Sequence, residues 1–182
     1  MTIHGRGRSV ATGALVGLIG GLAGSWLMNH FMSGVALVTT RGDRRDPQRN
    51  KQLIAAAKSK YKEMADPTGE FTEAVARRVF GRELTGKQKA ISGPAVHYAF
   101  GALAGAAYGL LAEVSPTVVK GRGVPFALAL WVAGDQIAVP AFGLGRKPTE
   151  IPVEAHAAMF ASHIVYGFTL ETVRKRALDF VA

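Results

Sequence analysis

The chain predicts an all-α membrane protein, a bundle of about four transmembrane helices with a basic amphipathic loop, and three observations carry that class. No Lys, Arg, Asp or Glu occurs between Ser9 and Thr40, a run longer than the ~20 apolar residues a membrane-crossing helix needs. A core helix of a small soluble domain would show a polar face instead. A second charge-free run lies between His97 and Glu113 and carries Gly101, Gly105 and Gly109 four residues apart. Small residues at that spacing let two helices approach closely in lipid, where apolar burial gives no drive for association. Finally, thirteen of the 22 Lys and Arg residues fall within residues 41–92, between the apolar runs. The formal charge of +9 therefore points to anionic lipid rather than nucleic acid, since each basic residue beside a membrane gains about 1 kcal/mol there.

The first transmembrane helix is expected over about residues 9–39. Its apolar character runs on without a cleavage site of the small-x-small kind, so it is read as retained rather than as a signal peptide. Gly13, Gly17 and Gly21 form one row, continued by Ser25 and Asn29, with Gly20 and Gly24 in a second row beside it. The Gly13-Ala14-Leu15 pattern returns in Gly101-Ala102-Leu103, and Gly17, Gly21 and Leu22 return as Gly105, Gly109 and Leu110. These glycine rows are expected to pack the first two transmembrane helices together.

Residues 41–92 differ in kind. Two helical pieces are expected there, Lys51 to Met64 and Phe71 to Phe80, separated by Asp66-Pro67-Thr68-Gly69. Basic amphipathic helices of this sort can lie in the headgroup plane. Thr85 offers a capping oxygen for the next helix. The second transmembrane helix is expected over about residues 94–114, stopped by Ser115-Pro116. A third follows over about residues 123–143, with Pro125 in its first turn. Pro140 should kink its far end, because it cannot donate to the carbonyl of Gln136. The fourth is expected over about residues 153–173, ending at Arg174-Lys175-Arg176. The whole chain is read as a single membrane domain. Four crossings place both termini on one side, and the excess of Lys and Arg in the loops on the other predicts that those loops are cytoplasmic.

The polar residues inside these runs are the candidate functional groups. Asp135 stands about twelve residues into the third helix, where a carboxylate is costly and turns inward. His30 and His163 fall at similar depth on their helices, at ~1.5 Å of rise per residue. His156 and His97 lie nearer the loop side. A convergent His/Asp set can carry protons or, less specifically, bind a metal. Glu113 and Glu171 sit at the opposite edge, near Lys120, Arg122 and Arg174, in a position for interfacial ion pairing. There is no cysteine, hence no disulfide or thiolate site. No tight metal-ligand spacing, phosphate loop or nucleophile motif occurs, so no catalytic residue is assigned.

Taken together these residues resemble the uncharacterised YagU-type inner-membrane proteins of bacteria. The resemblance rests on His97 ahead of the AEVSP motif at Ala112 to Pro116, on the polar residue at 135 followed by Pro140 and Gly143-Leu144, and on His163, Glu171 and the basic stretch after it. It covers about residues 93–176. It implies a multi-span protein of the bacterial cytoplasmic membrane and supplies no activity. Because packing features outnumber chemical ones, a structural, scaffold or stress-related membrane component is the leading expectation. A small proton- or ion-coupled transporter built on the Asp/His set comes second, and a membrane metal-binding protein third. The expected partners are the bilayer, its anionic headgroups through residues 41–92, and a second copy or another membrane protein. No cofactor is expected unless the His/Asp set takes a metal.

Overall fold

The computed structural model describes residues 10–39 and 67–181, with residues 48, 51, 52, 55, 56 and 59 between them. Most of the expected Lys51–Met64 helix lies outside the described residues. Among the described residues the fold is built on five long helices, with a short 3-10 turn at Pro148–Glu150 and no strand: α1 (Val10–Thr39), α2 (Pro67–Phe80), α3 (Gly86–Val114), α4 (Val124–Ala141) and α5 (Val153–Val181). Three of them, α1, α3 and α4, are long and apolar enough to cross a membrane. Of the four expected spans, three are thus candidates by length and composition among the described residues, and the fourth is not among them. α5 is long enough, but it carries Glu154, Glu171 and the Arg174-Lys175-Arg176 run.

Local chemistry sets the ends. α3 begins eight residues before the expected start because Thr85 caps it. The Thr85 hydroxyl accepts from the Gln88 N–H, and the Gln88 side chain accepts from the Thr85 N–H at 2.9 Å. This reciprocal box satisfies two of the donors that a helix start leaves free, and Pro94 is then carried inside the helix. At the far end Ser115 is extended, as a residue before proline prefers. α4 enters from Gly123, whose φ of 77° is left-handed, with Pro125 in its first turn. It leaves through Gly143, where the Gly143 and Leu144 N–H groups reach back to the Pro140 and Val139 carbonyls at 2.9 Å each, the bonding of a Schellman end. α5 does not stop at its basic run as expected. Arg, Lys, Ala and Leu are strong helix formers and no breaker follows, so the helix continues to Val181.

Within α4 the residues Val132–Ala138 form a π-helical stretch, in which the Val139 N–H donates to the Gly134 carbonyl five residues back. The expected disturbance at Pro140 therefore takes the form of wide turns just ahead of it. A helix interior that must accommodate a residue without an N–H can shift its bonding register in this way. Asp135 and Gln136 lie inside the wide turns.

α1 is the central element and packs on both α3 and α5, while α4 packs on α5 and α2 on α3. The pairing is antiparallel and uses the two glycine rows separately. Gly13, Gly17 and Gly21 face Gly109, Gly105 and Gly101. A Cβ on Gly17 would lie 2.9 Å from the Gly109 Cα, and one on Gly105 would lie 2.7 Å from the Gly21 Cα. Gly20 and Gly24 face α5 instead, against the Leu170 carbonyl and the Tyr166 ring. Only a missing side chain permits backbones this close, which is how small residues hold helices together in lipid. α3 and α5, held apart by α1, are bridged by long side chains, with Tyr166 donating to the Gly101 carbonyl at 2.7 Å. A small core of Tyr108, Ala127, Tyr166 and Leu170 fills the space beneath.

Candidate functional site

Antiparallel packing gathers polar residues at both ends of the bundle. One end brings together the end of α1, the start of α3, the end of α4 and the start of α5. Inward from that end, partway along α4 and α5, the His163 Nε2 stands 3.7 Å from an Asp135 carboxylate oxygen. The other ring nitrogen, Nδ1, lies 2.8 Å from the Met159 carbonyl. A carbonyl only accepts, so Nδ1 carries a hydrogen. In the neutral ring Nε2 then presents a lone pair toward a carboxylate, and two acceptors face each other. A proton resolves the conflict by residing either on Nε2, giving an ion pair, or on Asp135, giving an acid beside a neutral imidazole. His163 is buried, and its own helix occupies Nδ1, so Nε2 is the nitrogen turned toward Asp135.

Other groups frame this pair. The Trp131 ring lies between His163, His156 and Phe160, with centroids 6.3, 6.4 and 5.6 Å away. Among the described residues its buried indole N–H meets no acceptor, nor does the side-chain amide nitrogen of Gln136. His97 is within electrostatic reach of His163, and its ring lies edge-on to Tyr98. His156 is occupied locally, its Nε2 donating to the Pro148 carbonyl at 2.8 Å. His30 does not join the group. It is exposed, bonds the Trp26 carbonyl at 2.8 Å and packs on the Trp26 ring. Depth along the helix matched, but rotation did not: nine residues beyond Gly21, at ~100° each, point His30 away from the glycine row that faces α3. Among the described residues no three His, Asp or Glu side chains come together to hold a metal ion.

The opposite end holds a tighter network. Arg174, buried, donates through Nε and Nη2 to both oxygens of Glu171 at 2.7 and 3.1 Å, and through Nη1 to Glu113 at 3.3 Å. The Tyr108 hydroxyl adds a bond to Glu171 at 3.0 Å. The fork of a guanidinium matches a carboxylate in this two-bond geometry. Of the three basic residues near these glutamates in sequence, Arg174 makes the pairs, while Arg122 lies over the Phe168 ring at 5.6 Å. Sequence reasoning did not single out Tyr108 as a partner. The one signal was a bulky polar residue on an otherwise small-residue face, beside Gly105 and Gly109.

α2 is fastened over the first of these two ends. Glu70 pairs with the Arg146 side chain at 2.7 Å and accepts from its backbone N–H at 2.9 Å. Arg78 donates to the Phe142 carbonyl at the end of α4, where a cation complements the helix dipole. Glu73 meets Lys89 near the start of α3 at 3.0 Å.

Set beside known proteins, the chain matches no curated protein and no solved structure. A family described as "Protein of unknown function (DUF1440)" matches residues 47–172, a span that takes in α2, α3, α4, the Asp135–His163 pair and Glu171. The chain is therefore a member of the DUF1440 family, to which the YagU-like proteins belong.

Proposed function

We propose that the protein handles protons or small cations in the bacterial cytoplasmic membrane, with Asp135 and His163 as the exchanging pair. The 3.7 Å approach of the two groups carries this reading. One proton has two homes there, and changing homes changes the local charge that α4 and α5 present to each other. The wide turns around Asp135 support it further, because such stretches are frequent at functional sites. So do the buried Trp131 and Gln136 nitrogens, donors that water entering the site would satisfy. α5 crosses the membrane with α1, α3 and α4 in this reading, its charged end held by the Arg174 network.

The test is proton flux in sealed vesicles containing the purified chain and a trapped pH dye, with a potassium gradient and valinomycin setting the voltage. Flux above that of protein-free vesicles, lost in Asp135→Asn, is the expected result. Flux equal to protein-free vesicles, or unchanged in Asp135→Asn, overturns the reading.

A structural or scaffold role is the second reading, favoured by the glycine contacts between α1 and α3. Those contacts lie inside one chain, so they build the bundle without offering a surface to a partner.

A further inference from the structure

The large apolar side chains exposed on α1, α3 and α4, such as Leu15, Phe100 and Leu103, are on helices able to cross a membrane, where lipid tails cover them. Val79 and Phe80 are as exposed, at 68 % and 65 %, but lie on α2. That helix has 14 residues, about 21 Å at the usual rise, too short for a hydrocarbon core of ~30 Å. The hydrocarbon core is therefore not what α2 itself crosses, and the layer beside it is the headgroup region.

The fastenings of α2 say which layer. Arg78 and Glu70 tie it to the end of α4, and Glu73 ties it to Lys89 near the start of α3. It is thus held level with the ends of two candidate spans, where headgroups begin. These ties also sort its charges. Glu70, Glu73 and Arg78 are engaged with the bundle, and among the described residues Arg77 and Arg82 make no ion pair with an acid. Both are exposed, and the Arg82 guanidinium lies 6.0 Å from the Phe80 ring centre.

We infer that the C-terminal turn of α2, with Val79 and Phe80 set among Arg77 and Arg82, is a docking surface for anionic lipid headgroups. The two apolar side chains enter the boundary between headgroups and tails, and the two guanidinium groups take phosphate oxygens, which their planar fork suits. The inference does not depend on the Asp135–His163 reading.

Because the chain has no cysteine, Phe80→Cys creates one labelling site for an environment-sensitive fluorophore in the full chain, reconstituted in vesicles of phosphatidylcholine and phosphatidylglycerol. Stronger quenching by spin-labelled phosphatidylglycerol than by spin-labelled phosphatidylcholine is expected. Each of Arg77→Gln and Arg82→Gln should lower that preference by about fivefold, while the Arg77→Lys/Arg82→Lys pair should keep most of it. Equal quenching by the two lipids, quenching by aqueous iodide alone, or a preference untouched by both Arg→Gln changes would overturn the inference.

Discussion

His163 turns one ring nitrogen to its own backbone, 2.8 Å from the Met159 carbonyl, and the other to Asp135 at 3.7 Å. The first contact makes Nδ1 the protonated nitrogen, and the second sets Nε2 facing a carboxylate; the proposed function puts one exchangeable proton between them. Infrared titration of the purified chain should show a protonated carboxyl band that disappears as pH rises. Asp135→Asn should remove that band, and Asp135→Glu should shift it. A band unchanged in Asp135→Asn would mean that the proton resides elsewhere.

The Arg174 network should dominate the stability of the other end. Arg174→Ala leaves Glu171 and Glu113 without their shared cation, and breaking a buried pair from one side costs about 3–5 kcal/mol. Tyr108→Phe removes a single bond to a charged group, about 1.5–3 kcal/mol. Unfolding in detergent should rank the two variants in that order. The reverse order would show that the tyrosine, rather than the guanidinium, organises the end.

The contact between α1 and α3 predicts a contrast among glycines. Gly17→Leu and Gly105→Leu drive a side chain into a facing backbone, and their destabilisation should exceed the ~1–3 kcal/mol of ordinary overpacking. Among the described residues Gly34 has nothing within 4 Å of where its Cβ would be, so Gly34→Leu should stay within about 0.5 kcal/mol of the parent. Comparable loss at all three positions would count against the interlocked rows.

Crossing by α5 predicts that reporters fused to the two ends of the chain are active on the same side of the membrane. From the bias of Lys and Arg toward the loops, the expected side is the one outside the cytoplasm. Reporters active on opposite sides would leave three crossings, with α5 seated at the surface.

Much of this protein is legible in the order of its residues. The apolar runs of α1, α3 and α4, the Gly/Pro entry to α4 and the capping oxygen of Thr85 are local features, and local features set where helices start and how long they are. The two glycine rows of α1 were visible as well, because a four-residue spacing marks one helix face whatever stands opposite. Tertiary structure decided which face meets which neighbour: Gly13, Gly17 and Gly21 meet α3, and Gly20 and Gly24 meet α5. It also decided which polar groups meet. His30, Asp135 and His163 match in depth, yet Asp135 and His163 come together and His30 stays outside. Depth follows from counting residues, whereas meeting depends on rotation about each helix axis and on the extra width of the turns at Val132–Ala138. Rotation is set by packing between helices distant in sequence, while the wide turns answer to Pro140 just beyond them.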